Sequence, residues 1–415
     1  MKELIKGAVI IFIIKIVGAV ALFLINIIIS NYYGAAYLGI FNLLFALFQI
    51  SSIFSRAGLD VFTVKMLPTI ENKKVISSFL KKVARLILTF SSISALLILL
   101  FAQQIDTYLF RSTDASGFII MTALLVIPYA FFTVLPEVLR GFDEIRNYSL
   151  LRNALLNLCI IFSLLLLYQY ADLHNEPVIA LFVGVAAATL IAFLVVIYFL
   201  KKNKIPRKSP KYDTNILKQS YPMFLTSSVL FLMGNVDSFM IGYFEDETQV
   251  GYYNACVRLS FAITFILTAI NGFVSPKFAK YFHQNKLSEL KKLYYQSLKL
   301  IWITVSPILL LLFIFPKLFL SFFGIEFIVA SNTLIILNVS YMVNAFFGPT
   351  GHLLNMTGNQ KTFMIVILLA FIINIFGNLI AIPKYGIEGA AFATFLSMSL
   401  WNVSSFVLLK KQQLV

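Results

Sequence analysis

Apolar runs of roughly 20 residues recur from one end of this 415-residue chain to the other. Each is long enough to cross about 30 Å of hydrocarbon as a helix rising about 1.5 Å per residue. Polar residues gather between the runs instead of recurring along them, which sets the chain apart from a solenoid or a buried soluble core. Composition agrees, with 60% hydrophobic and 12% charged residues, where a soluble domain carries about a quarter charged. The expected fold is all-α, a polytopic membrane protein of about 12 transmembrane helices in two pseudo-symmetric six-helix lobes.

The runs place spans near residues 8–30, 37–58, 84–104, 117–138, 148–170, 178–200, 219–243, 251–276, 297–319, 331–350, 362–382 and 386–409. Lys2 and Lys6 before an apolar run, then Ala19-Val20-Ala21, imitate a secretory signal. The run continues through Leu22-Phe23-Leu24-Ile25, so the first span is read as retained. With the N-terminus inside, only Arg111, Lys317 and Lys384 of the 33 basic residues fall on the outer side, and Lys15 and Arg258 fall within spans. The charge of +15 therefore reports topology by the positive-inside rule, not a nucleic-acid partner. Both termini are expected on the cytoplasmic side.

A basic, proline-bearing linker at 201–218 separates an N-lobe at 1–200 from a C-lobe at 219–415. Between these halves a motif repeats: Gly39-Ile40-Phe41-Asn42 has its echo in Gly251-Tyr252-Tyr253-Asn254. The expectation is a turn joining the first two spans of each half. Gly141 with Asn157 matches Gly358 with Asn374, and "GVAAAT" (Gly184 to Thr189) matches "GAAFAT" (Gly389 to Thr394). Two such parallel repeats are the build of transporters that work by alternating access.

Charges and amides within spans are costly and mark function or helix contacts. At about 100° per residue, Lys15, Asn26 and Ser30 share one side of the first span. Asn42, Gln49 and Arg56 form a stripe on the second span, with Asp60 one turn on. Arg56 and Asp60 either pair with each other or meet a substrate. The seventh span carries Gln219, Thr226 and Asp237 on one stripe, and the eighth carries Asn254, Thr268 and Ser275 with Arg258 nearby. Lys15, Arg56 and Arg258 are the candidate cavity-facing cations, with snorkelling the alternative for Lys15 and Arg258, and Asn26, Asn42, Gln49 and Asn254 are either helix contacts or cavity-facing amides. Asp237 is the candidate for ion coupling, with Asp60 second; the alternatives for Asp237 are a lasting pair with Arg258 or a helix contact.

The chain contains no G-x-x-x-x-G-K-[ST] phosphate loop and no H-E-x-x-H or paired Cys/His cluster. Its two cysteines, Cys159 and Cys256, lie in separate apolar segments as packing residues. No nucleotide or metal cofactor is expected, with H⁺ or Na⁺ left as a coupling ion. The outer loops are short for an enzyme that must hold an acceptor, so a transporter is expected in preference to a polymerase or transferase.

"NYYGAAYLGIFNLLFALFQISSIFSRAGLD" (Asn31 to Asp60), "NVDSFMIGYFEDETQVGYYNACVRL" (Asn235 to Leu259) and "SPKF" (Ser275 to Phe278) resemble segments of bacterial polysaccharide flippases. These belong to the multidrug/oligosaccharidyl-lipid/polysaccharide exporter superfamily. "SRAGLDVFTVKMLP" lacks the G-x-x-x-D-x-x-G-[RK] loop of the major facilitator type. The resemblance implies transfer of an undecaprenyl-diphosphate-linked oligosaccharide from the inner to the outer leaflet of a bacterial cytoplasmic membrane, with Lys15, Arg56 and Arg258 drawing the anionic diphosphate and Asn26, Asn42, Gln49 and Asn254 meeting sugar hydroxyls. Such a flippase serves O-antigen or capsule synthesis, in company with a polymerase and a chain-length regulator. The alternative within the superfamily is a cation-coupled multidrug exporter, for which more buried acids would be expected.

Overall fold

The computed structural model describes residues 2–70, 72–110, 115–168, 176–206 and 216–415. No strand occurs among the described residues, and nine of their helices are long and apolar enough to cross a membrane. Two of the nine are pairs of spans. Lys2–Arg56 bends at Gly34 (φ 83°, ψ 177°), and Gln360–Lys411 bends at Gly386 (φ 54°, ψ −135°). A side chain at either bend would be strained, so glycine sets where one span ends and the next begins. The 29-residue helix Ile216–Phe244 completes twelve spans.

The helices outrun the apolar segments that announce them. The third span, expected at 84–104, is the helix Lys73–Leu100, started by Asn72, whose side chain accepts from Lys74 N at 2.9 Å. The eighth runs Glu247–His283 and the ninth Leu287–Ile314, against expected starts at 251 and 297. Hydrocarbon thickness fixes the apolar length, but backbone hydrogen bonding continues a helix into water until a cap stops it. The second span breaks at Ala57 and Gly58, so Asp60 lies in a separate short helix, Leu59–Met66.

Contacts divide the chain into two compact units, one of Met1–Tyr33 with Ile40–Asn235 and one of Gly34–Gly39 with Val236–Val415. The break thus falls inside the seventh span, whereas the sequence places a boundary at the linker; residues 207–215 of that linker lie outside the described residues. In the first unit Phe48 is fully buried, with ring centroids 5.4 Å from Tyr129 and 6.0 Å from Phe182, tying the second, fourth and sixth spans. In the second unit Val274, Phe278, Leu290, Tyr294, Leu353 and Leu409 form one cluster, and Tyr294 Oη donates to the Phe347 carbonyl at 2.8 Å.

The repeated Gly-aromatic-Asn motif is not a turn. Both copies are helical; the bends lie before them, at Gly34 in one case and between Phe244 and Glu247 in the other. What each glycine supplies is room. A Cβ on Gly39 would stand 1.7 Å from the Glu247 carbonyl oxygen, and one on Gly251 would stand 2.1 Å from that of Ala35. Both contacts belong to the second unit, and they are reciprocal. Each glycine packs on the residue four positions before the other glycine, so both positions need the room that only glycine leaves.

Candidate functional sites

The first unit carries a cluster of charges where its second, fourth and fifth spans end. Arg56 Nη1 lies 2.9 Å from Asp60 Oδ2, so of the two readings for this couple the ion pair is present. Glu137 of the fourth span, buried, lies 3.5 Å from Arg140 and 3.8 Å from Arg152. Arg152 projects from a π-helical turn, Leu150–Leu155, and its Nη1 also donates to the Thr133 carbonyl at 3.4 Å. The first span packs tightly on the wide turn: a Cβ on Gly18 would stand 1.9 Å from the Asn153 carbonyl oxygen, and Asn157 donates to the Gly18 carbonyl at 2.9 Å. Three arginines thus face two carboxylates. Arg56 Nε and Asp60 Oδ1 are both buried without a hydrogen-bond partner. An excess guanidinium with an unused N–H, set among apolar helices, is suited to hold an anion.

The second unit carries a polar cluster around one carboxylate. Asp237 Oδ2 accepts from Tyr253 Oη at 2.7 Å and from Thr394 Oγ1 at 2.6 Å, while Asp237 Oδ1 accepts from Asn378 Nδ2 at 2.6 Å. Asn378 also donates to Asn374 Oδ1 at 3.2 Å. The seventh, eighth, eleventh and twelfth spans meet here. All three donors to Asp237 are neutral, so a full carboxylate charge would be held by hydrogen bonds alone. A half-turn of the Asn378 amide would present its Oδ1, which is buried and has no hydrogen-bond partner. Carboxylate, amide and hydroxyl oxygens are then available to a hard monovalent cation.

The asparagines named as partners of sugar hydroxyls hydrogen-bond within the protein. Asn42 Nδ2 donates to Asn26 Oδ1 at 3.5 Å, and Asn26 donates back to the Leu22 carbonyl at 2.7 Å. Asn254 Nδ2 donates to Ser238 Oγ at 3.3 Å and to the Val250 carbonyl at 2.9 Å. In both pairs the partners are 16 residues apart, so the repeat extends to its hydrogen bonds. Asn26, Asn42 and Asn254 are all buried. Lys15 is exposed on the first span, and Gln49 and Arg258 are half-buried in the second and eighth. The side chains of Gln219 and Thr226 lie outside the described ones.

Glu137, Arg152 and Asn378 escape a reading of single stripes. The first two look like ordinary charges at span ends, and only packing brings them to Arg56. Asn374 and Asn378, one turn apart in an apolar span, carry a signal that periodicity could have supplied.

A family model described as polysaccharide biosynthesis protein matches residues 4–282, and one described as MatE matches residues 222–380. A probable low-salt glycan biosynthesis flippase, Agl15 of Haloferax volcanii, is 26% identical over 99% of this chain and 85% of its own length. Among solved structures, the lipid II flippase MurJ in an inward closed conformation superposes with a TM-score of 0.75 at 17% identity, covering 98% of this chain and 87% of its own. An inward-facing multidrug resistance MATE transporter gives a TM-score of 0.75 at 15% identity, covering 98% of each chain. These structural likenesses establish the shared twelve-span fold.

Proposed function

Since this chain belongs to the polysaccharide biosynthesis protein family, we propose that it is a flippase moving a polyprenyl-diphosphate-linked oligosaccharide between membrane leaflets. In a bacterial cytoplasmic membrane the lipid is undecaprenyl diphosphate, the direction is inner to outer leaflet, and the product feeds O-antigen or capsule assembly. Both termini then lie in the cytoplasm, and a polymerase with its chain-length regulator takes the product. The observation that carries this reading is the arginine-rich cluster of Arg56, Arg140 and Arg152 against Asp60 and Glu137. A diphosphate is the anion such a cluster accommodates, since guanidinium groups bind phosphate oxygens in pairs. Lys15 and Arg258 add attraction for the same headgroup. In the conformation described, the buried Asn26, Asn42 and Asn254 hold helices together, and sugar contacts by them require a conformation in which those pairs part.

Asp237 is the proposed coupling group. Its oxygens sit where protonation, or Na⁺ with Asn374, Asn378 and Thr394, would neutralise the charge and strengthen one arrangement of four spans. Asp60, held by Arg56, is the weaker candidate. A multidrug exporter of organic cations fits less well, because the other buried acids of the sites, Asp60 and Glu137, already face arginines.

The test is export of surface polymer by cells carrying Lys15→Ala, Arg56→Ala or Arg258→Ala at native expression. Each is expected to lower export while the protein remains in the membrane, and Lys15→Arg is expected to retain more function than Lys15→Ala. Normal export by all three alanine variants would remove the basis for an anionic headgroup.

A further inference from the structure

The bent helix Gln360–Lys411 and the tenth span enclose a slot of 640 Å³ within the second unit. Its walls are apolar, from Ile336, Ile380, Phe392 and Leu396. Ile380 is 63% exposed and Phe392 50% exposed, so the slot lies on the surface of helices that span the membrane. At its end beside the Gly386 bend stand Lys384, Tyr385 and Glu388. Lys384 has no hydrogen bond or ion pair among the described residues. Glu388 Oε1 accepts a single amide bond, from Asn332 at 3.1 Å, which leaves the carboxylate most of its acceptor capacity.

We propose that this slot holds a phospholipid of the ethanolamine class, with an acyl chain between Ile380 and Leu396 and its headgroup between Lys384 and Glu388. An apolar slot ending in one cation and one anion is complementary to an amphiphile bearing both charges. A purely anionic headgroup would meet the Glu388 carboxylate beside Lys384. Lys384 supplies donors to the phosphate, and Glu388 accepts from a primary ammonium; a trimethylated ammonium has no N–H to offer it. Tyr385, 68% exposed, has the amphipathic ring that settles at the level of headgroups. The lipid would also bear on the coupling cluster. Gly377 and Ala393 line the slot and meet each other, a Cβ on Gly377 standing 2.9 Å from that of Ala393. Their neighbours in sequence are Asn378 and Thr394, the donors to Asp237.

Native mass spectrometry tests the assignment on the purified full chain. The protein is offered equal amounts of phosphatidylethanolamine, phosphatidylcholine and phosphatidylglycerol with the same acyl chains. Wild-type protein is expected to keep the ethanolamine lipid roughly tenfold over the other two, the scale of one charge-assisted hydrogen bond. Glu388→Gln is expected to bring the ethanolamine and choline lipids to near parity. Lys384→Gln weakens retention of all three, and Ile380→Trp, which fills the slot, does the same by another route. Both positions are at the surface, so size-exclusion and helicity controls are expected to match wild type. Wild-type protein without a lipid preference, a preference for phosphatidylglycerol, or an ethanolamine preference that survives Glu388→Gln would each overturn the proposal. So would displacement of the lipid by an equal concentration of a short polyprenyl phosphate, which would give the slot to the carried lipid instead.

Discussion

Asn378 donates its amide to Asp237 at 2.6 Å, joining the eleventh span to the seventh. The bond has no counterpart among the described residues of the first half. There the helix tie equivalent to Asn254 with Ser238 is Asn42 with Asn26, and the residue before Asn26 is Ile25, a fully buried hydrocarbon where the second half has Asp237. The helix tie occurs in both halves, and the carboxylate stands beside it in one.

Asp237→Asn therefore separates coupling from structure, because it removes the charge at nearly constant volume. The expected outcome is a reconstituted protein that no longer answers to an imposed Na⁺ or pH gradient, with helicity unchanged. A wild-type gradient response in the variant would make Asp237 a helix contact only. Thr394→Val, which deletes one donor and adds no charge, is expected to weaken the response in the same assay, by about tenfold for one hydrogen bond to a charged group.

The reciprocal contacts of Gly39 with Glu247 and Gly251 with Ala35 leave no space for a methyl group. Gly39→Ala and Gly251→Ala must push helix backbones apart, at a cost of about 1–3 kcal/mol each. Thermal unfolding in detergent is expected to show a lower transition temperature for both. Gly234 is the control: nothing lies within 4 Å of a Cβ placed there, and Gly234→Ala is expected to raise stability by up to about 1 kcal/mol through helix propensity. Equal behaviour of all three would mean the crossing is loose.

Arg56 and Asp60 form an ion pair at 2.9 Å, with side chains 13% and 9% exposed. Asp60→Asn leaves Arg56 facing Arg152 with less compensation, so this single change is expected to destabilise by about 3 kcal/mol or more. Arg56→Gln in the same chain is expected to recover part of that loss. A double-mutant cycle by chemical denaturation measures the coupling, expected on the order of 1–3 kcal/mol. A coupling near zero would show that the two groups are solvated independently.

The helical fold and its number of spans were legible in the sequence because hydrocarbon thickness forces an apolar run of nearly fixed length. The bends were partly legible, since Gly34 and Gly386 lie between apolar runs. The role of Gly39 was not: a glycine that gives room to another helix looks, in one dimension, like a glycine that turns the chain. The sites divide in the same way. Asp237 and Arg56 stood out as charges within apolar runs, where the cost of burial makes a charge conspicuous. Glu137 and Arg152 sit at span ends, where charges are ordinary, and their meeting with Arg56 depends on the packing of three helices. That Asn26 and Asn42 hydrogen-bond to each other was not legible, because the pairing depends on how two neighbouring spans cross.

The most direct measurement is transport by the purified protein in liposomes. A polyprenyl-diphosphate-linked oligosaccharide with a fluorescent sugar is placed in both leaflets, and a membrane-impermeant quencher reports the fraction that changes side. Wild-type protein is expected to expose the protected pool to the quencher, Arg56→Ala and Arg258→Ala to slow that exposure by at least about tenfold, and an organic-cation dye to remain where it was loaded. Movement of the dye with the glycolipid left in place, or glycolipid movement equally fast in both arginine variants, would contradict a flippase that grips its cargo by the diphosphate.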